Sequence, residues 1–109
     1  MFIVWILASL VGCGPNCQST CNQIYGNGSG ECNIQRGGRT TSDLISYCLD
    51  ECEGALETPG DLDGYDPNTA QGRDESFELD NEKQAAVWMD CVAEQACDRL
   101  TDGYCAPIW

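Results

Sequence analysis

The sequence predicts an all-α fold: a small disulfide-rich bundle of about three helices with a long acidic loop. Nine of the 109 residues are cysteine, and this content in a short chain is typical of a disulfide scaffold. Two Cys-x3-Cys pairs have the spacing of one helical turn. Apolar residues also recur at helical spacing on both sides of an acidic stretch, which indicates helices separated by a loop.

Two cysteine-bearing helices are predicted in the first half of the chain. The first spans about residues 16–25, with Asn16 as its N-cap. The second begins near Thr41, with Thr40 or Thr41 itself as N-cap, and Gly54 ends it. Each helix places its two cysteines on one face, one turn apart.

A third helix is predicted over about residues 81–100, with Asp80 as its N-cap. Its core face is expected to carry Trp88, Cys91, Val92, Ala96 and Leu100. Residues 55–79 in front of it combine turn-forming Pro and Gly with few apolar residues, so we expect a long acidic loop there. Twelve of the 18 acidic residues lie in residues 50–82, against a single arginine.

Packing geometry predicts a disulfide map for the last eight cysteines. If the first two helices pack antiparallel, Cys17 meets Cys52 and Cys21 meets Cys48. On a continuous third helix Cys97 points away from the core face, so a local Cys97–Cys105 bond would tie the tail to the helix end. Cys32–Cys91 is then the remaining bond. Eight cysteines allow many other pairings, and only the spacing selects this one.

Residues 1–12 form an uncharged apolar run that ends at Cys13. The run is too short to span a membrane, which needs about 20 residues, but it has the length of a signal-peptide core, about 7–15 residues. Its end, Leu10-Val11-Gly12-Cys13, resembles the lipobox of bacterial lipoproteins. The resemblance implies that residues 1–12 are a removed signal peptide. It also implies that Cys13 carries diacylglycerol, with a further acyl chain such as palmitate on its amino group.

This resemblance further implies that residues 13–16 are a lipidated tether and that residues 17–109 form the exported domain. Gly14, where an Asp would favour the inner membrane in that family, implies an outer-membrane lipoprotein that faces the periplasm or the cell surface. Two other interpretations stay open. In the first, residues 1–12 are a buried helix of the mature fold. In the second, they are an ordinary secretory signal and Cys13 forms a disulfide.

The spacing of the domain's cysteines also resembles that of small cysteine-rich lipoproteins found in myxobacteria and related predatory bacteria. The residues that carry the resemblance are Cys17-x3-Cys21, Tyr47-Cys48-x3-Cys52, Asp90-Cys91-Val92-Ala93-x3-Cys97-x2-Leu100 and Cys105. The resemblance implies an architecture and no particular activity.

The charge and the missing residue types exclude several function classes. A net charge of −13, from 18 acidic and 5 basic residues, argues against nucleic-acid binding, which needs a basic surface. Without histidine, the chain lacks the commonest general base and zinc ligand. No catalytic triad or phosphate loop is found, so no enzyme is expected. Metal or iron–sulfur ligation by the cysteines is the rival interpretation, and an oxidising compartment disfavours it.

One cation site is a candidate. The sequence 61–68 offers oxygen ligands around a glycine turn, on Asp61, Asp63, Asp66 and Asn68. Calcium takes such ligands, although the spacing is not that of an EF-hand, so weak binding is expected at most. No other cofactor is expected.

These observations predict a membrane-anchored envelope lipoprotein with a non-catalytic, structural or protein-binding role. Trp88, Tyr104 and Trp109 are candidate contact aromatics for a protein partner, although the helical pattern favours a core position for Trp88. The alternative is a secreted, unlipidated, disulfide-rich inhibitor or toxin-like protein, with calcium bound in the 61–68 loop.

Overall fold

Four helices build the part of the protein that the computed structural model describes, residues 14–71 and 78–109. They are α1 (Cys17–Tyr25), α2 (Thr41–Leu56), α3 (Glu82–Glu94) and α4 (Cys97–Thr101). Neither of the two described stretches contains a strand. The predicted class, a small disulfide-rich helical fold, is therefore confirmed, with four helices in place of about three.

The first two helices begin where the sequence predicts. Asn16 accepts a hydrogen bond from the Ser19 backbone N–H at 2.8 Å, and the Ser19 hydroxyl accepts one from the Asn16 N–H at 3.0 Å. The two bonds form a capping box, which satisfies N–H groups that the first turn leaves without partners. Thr40 caps α2 through a hydrogen bond from Asp43 N–H at 3.1 Å.

The predicted end of α2 at Gly54 is wrong, because the helix continues to Leu56. Ala55, the residue after the glycine, is buried. Burial of this side chain favours another half-turn of helix, which outweighs the low helix propensity of a single exposed glycine.

The third predicted helix is two helices in the structure. Gln95 and Ala96 have extended backbone conformations between α3 and α4. The break turns the chain, so that Leu100 reaches the core while Ala96 is exposed, and the core position predicted for Ala96 is wrong. The predicted N-cap is also wrong: Asn81, not Asp80, accepts the first-turn hydrogen bonds, from Lys83 and Gln84 at 3.0 and 3.1 Å.

The core lies where α3 packs across the antiparallel pair α1 and α2. Its largest fully buried side chains come from all four helices: Trp88, Tyr25, Ile24, Leu44, Leu100 and Val92. The Gln23 side chain bonds α1 to α3 by donating to the Val92 carbonyl at 2.8 Å. After α4 the chain folds back, and residues 105 and 107 of the tail are buried.

The predicted leader and lipid site, residues 1–12 and Cys13, lie outside the described residues. Of the predicted tether, Gly14 and Pro15 are exposed, and Asn16 belongs to the capping box of α1. Across residues 14–71 and 78–109, no helix has both the length and the apolar character needed to cross a bilayer.

Candidate functional site

Two disulfides join α1 to α2 as the spacing predicts. Cys17 is bonded to Cys52 and Cys21 to Cys48, with Cα–Cα distances of 5.8 and 5.9 Å. Each helix presents its pair one turn apart, so antiparallel packing brings both pairs together in one register. All four cysteines are buried, at 5% exposure or less.

The other two predicted bonds, Cys32–Cys91 and Cys97–Cys105, are wrong. The structure joins Cys32 to Cys97 and Cys91 to Cys105 instead. The prediction assumed a continuous third helix. The break at residues 95–96 places Cys97 at the start of α4, next to the loop that follows α1. Cys91 stays on the buried face of α3, where the returning tail places Cys105 beside it.

The four disulfides therefore differ in their surroundings. Three are buried, since none of their six cysteines exceeds 5% exposure. In the fourth, Cys32 is half-buried and Cys97 is exposed. Thiol reagents in solution therefore reach this bond more easily than the others.

Side chains from several parts of the fold bind the backbone of the C-terminal tail. Each of four consecutive main-chain oxygens, from Ala106 to Trp109, accepts a side-chain hydrogen bond. The donors are, in order along the tail, Tyr65 Oη, Trp88 Nε1 at 3.0 Å, Arg36 Nη2 at 3.1 Å and Tyr25 Oη at 2.7 Å. Buried carbonyls need such partners when no strand pairs with them. The tail is thus an integral part of the fold.

The aromatic residues predicted to contact a partner are buried within this protein to different extents. Trp88 is fully buried, and half-buried Trp109 packs edge to face against both Trp88 and Tyr47. Tyr104 is half-buried, with the Arg99 guanidinium 4.9 Å from the centre of its ring. Among the aromatic residues that the structure describes, Tyr47 alone is exposed, at 38%, and Arg39 lies over its ring at 5.0 Å.

The acidic loop makes polar contacts within itself, with the start of α3 and with the C-terminal tail. Asp66 accepts a hydrogen bond from Asn68 N–H at 3.0 Å, and the Asn81 side chain donates to the Asp61 carbonyl at 2.9 Å. Asp61, Asp63, Asp66 and Asn68, the residues of the candidate calcium site, are exposed. Among the described residues, no three His, Cys, Asp or Glu side chains are grouped so as to hold a metal ion.

Two tail-binding tyrosines have raised pKa values. Burial raises the pKa of Tyr25 from 10.0 to about 12, although the nearby Arg36 and Arg39 charges oppose the shift. Burial, with a smaller contribution from the Asp66 carboxylate, also raises the pKa of Tyr65. Both hydroxyls therefore stay protonated and able to donate at neutral pH. No motif singles out Tyr25, Arg36 and Tyr65 in the sequence, so the tail-binding role of these residues was not predicted.

No family model matches the chain, and neither the curated proteins nor the solved structures include a match to it.

Proposed function

We propose that this protein is a membrane-anchored lipoprotein of the cell envelope with a non-catalytic role. A lipid on Cys13 holds it at the outer membrane, and its rigid helical domain is structural or binds another protein. The observation that supports this most is that all eight cysteines from Cys17 onward are in disulfides. Structural disulfides belong to oxidising compartments, as an exported protein requires.

The rigidity of the domain supports a presenting role. The bonds Cys17–Cys52 and Cys21–Cys48 fix α2 on α1, and the other two fix α4 and the tail. A pre-organised surface loses little conformational entropy when it binds a partner. The net charge of −13 disfavours attraction to anionic head groups, so the proposed anchor is covalent lipid. Each buried CH₂ contributes about 0.8 kcal/mol, and two or three acyl chains anchor a protein stably.

The intact mass of protein extracted from membranes tests this proposal. We expect a chain that begins at Cys13, carries the mass of the acyl groups and lacks eight hydrogens because of four disulfides. The Cys13→Ser variant is the matched control, and it should retain residues 1–12 and lose the lipid mass. Membrane-extracted protein that retains residues 1–12, or that has Cys13 bonded to another sulfur, would refute the lipoprotein proposal.

A secreted, unlipidated inhibitor or toxin-like protein is the second candidate. The dense cross-linking of a domain this small favours it, because such domains often act free in solution. In that case the mature protein is recovered from the medium without lipid. The same mass measurement therefore separates the two candidates.

A further inference from the structure

One of the four disulfides lies where a reagent in solution can reach it. Cys97, the first residue of α4, is exposed and its partner Cys32 is half-buried. The six cysteines of the other three bonds are at 0–5% exposure. Thiol–disulfide exchange requires a thiolate to approach a sulfur atom directly, so access separates this bond from the rest.

We propose that Cys32–Cys97 is a thiol-exchange site: a surface disulfide that thiols open while the three core disulfides stay closed. Exposed disulfides are more easily reduced than buried ones and are often the regulatory or catalytic bonds of a protein. This inference does not depend on the lipid anchor, because it rests only on the described domain.

The exchange begins when an external thiolate attacks Sγ of Cys97, the more exposed of the two residues. A new S–S bond forms between the reagent and Cys97, the Cys32–Cys97 bond breaks, and Cys32 leaves as a thiolate that takes a proton from water. A second reagent thiolate then attacks the reagent's sulfur in the mixed disulfide. Cys97 is released as a thiol, so the protein gains two electrons and the two reagent molecules end as a disulfide.

The fold around the bond does not depend on it alone. The segment around Cys32 is held on α1 by hydrogen bonds from Cys32 N–H to the Gln23 carbonyl at 2.7 Å and from Ile34 N–H to the Ile24 carbonyl at 3.0 Å. On the other side, Leu100 anchors α4 in the core at 2% exposure. Opening the bond therefore frees the start of α4 without unfolding the bundle.

The charges beside the bond indicate which thiols react fastest. Glu31 precedes Cys32, Asp98 follows Cys97 and Glu94 ends the neighbouring helix. The bases nearest in sequence are Arg36 and Arg99, so acidic residues outnumber basic ones beside the bond. With a net charge of −13, the protein repels anionic reagents and attracts cationic ones. The preferred reagent is therefore a thiol with positive or neutral charge, such as cysteamine, and anionic glutathione is slower.

Partial reduction followed by mapping of the modified cysteines tests the proposal on the full chain. Free thiols are blocked with N-ethylmaleimide, the protein is exposed to cysteamine, 2-mercaptoethanol, glutathione or a reduced thioredoxin-type protein, and new thiols are labelled with a second maleimide. Peptide masses then identify the opened bond. We expect Cys32 and Cys97 to be labelled at least about ten times faster than the other six cysteines, with helical circular dichroism unchanged. Comparing the small thiols with the thioredoxin-type protein shows which of the two sources opens the bond.

Matched variants sharpen the result. The double variant Cys32→Ser/Cys97→Ser should lose the fast labelling phase, and Asp98→Asn should narrow the rate ratio between cysteamine and glutathione. If that double variant does not fold, the peptide map of labelled cysteines in the wild-type protein still tests the proposal. Earlier labelling of a core pair, or labelling of all eight cysteines together, would overturn the exchange site. Equal rates for glutathione and cysteamine would overturn the preference for cationic thiols.

Discussion

Trp109 meets Trp88 edge to face, with ring centroids 5.6 Å apart and planes inclined at 63°. The same Trp109 ring meets Tyr47 of α2 at 5.9 Å and 77°. The last residue of the tail therefore joins α2 to α3 through aromatic contacts. Such contacts contribute about 0.5–1.5 kcal/mol beyond the apolar area that they bury. This arrangement makes Trp109 a structural residue.

Replacing Trp109 should therefore destabilise the protein. We expect Trp109→Ala to lower the free energy of unfolding by about 2 kcal/mol, since a half-buried ring contributes less than a fully buried one. Urea denaturation of the oxidised protein measures the change. Trp109→Phe retains a ring and should recover about half of the loss. If Trp109→Ala is as stable as the wild type, Trp109 is free to contact a partner, as the sequence first suggested.

The N-terminus of α3 allows a sharp comparison of two neighbouring residues. Asn81 is buried, accepts hydrogen bonds from two first-turn N–H groups and donates to the Asp61 carbonyl. We expect Asn81→Ala to lower the free energy of unfolding by about 2 kcal/mol, because it removes the cap and leaves a carbonyl without its donor. Thermal and urea unfolding measure this loss.

Asp80→Ala is the matched control for that experiment. The Asp80 side chain is exposed, and its backbone N–H, which donates to Gln84 at 2.8 Å, is retained in alanine. We expect the free energy of unfolding to change by no more than about 0.5 kcal/mol, as for other exposed positions. If Asp80→Ala lowers the free energy of unfolding more than Asn81→Ala does, Asp80 is the N-cap of α3, as predicted from the sequence.

Two glycines should respond to alanine in opposite directions. Gly54 lies inside α2 with open space around it, so Gly54→Ala should stabilise the protein by about 0.5–1 kcal/mol. Gly103 has φ of +105°, and an added Cβ would overlap the Gln71 carbonyl. Gly103→Ala should therefore destabilise by more than about 1 kcal/mol. Differential scanning calorimetry of both variants checks the signs, and a destabilised Gly54→Ala would contradict the continuous helix.

The disulfides show what local spacing predicts and what it does not. The pairs Cys17–Cys52 and Cys21–Cys48 follow from spacing together with antiparallel packing, because each helix carries its two cysteines on one face, one turn apart. The other two bonds depend on the chain break at Gln95. That position carries no glycine or proline, so helical periodicity continues through it and the sequence gives no signal for the break.

The tail was less predictable still. Its aromatic residues, Tyr104 and Trp109, were candidate contacts for a protein partner, and the side chains that donate to its backbone, including Tyr25 and Tyr65, are far apart in the sequence. Hydrogen bonds of this kind depend on tertiary packing and leave no local pattern. The fold class was easier to predict than these contacts, since cysteine content and the helical spacing of apolar residues were enough to predict it.

Calcium and magnesium should stabilise this protein by screening its charge. Since the four candidate ligands in the 61–68 loop are exposed to water and the net charge is −13, we expect millimolar Ca²⁺ and Mg²⁺ to raise the Tm equally, by reducing repulsion between acidic side chains. Calorimetry in both salts, with EDTA as the reference, checks this. A calcium-specific rise that disappears in Asp63→Asn would instead support the predicted site in the 61–68 loop.

Stability should fall in alkaline solution because of the buried tyrosines. The pKa of Tyr25 is raised from 10.0 to about 12, so the folded state holds this proton more tightly than the unfolded state does. The contribution of Tyr25 to the free energy of unfolding is therefore complete below pH 10. It is lost between pH 10 and about 12, because the unfolded chain releases the proton first. The loss is about 2–3 kcal/mol, and the raised pKa of Tyr65 adds to it in the same direction.

Urea unfolding at a series of pH values, with free thiols blocked beforehand, measures this loss. Tyr25→Phe is the control: it removes the hydrogen bond to the Trp109 main-chain oxygen at every pH, but it should reduce the decline in the free energy of unfolding between pH 10 and 12 to the part due to Tyr65. The difference in tyrosinate absorbance between wild type and Tyr25→Phe should have its midpoint near pH 12. A midpoint near 10 would mean that water reaches the Tyr25 hydroxyl, and that the tail does not cover it in solution.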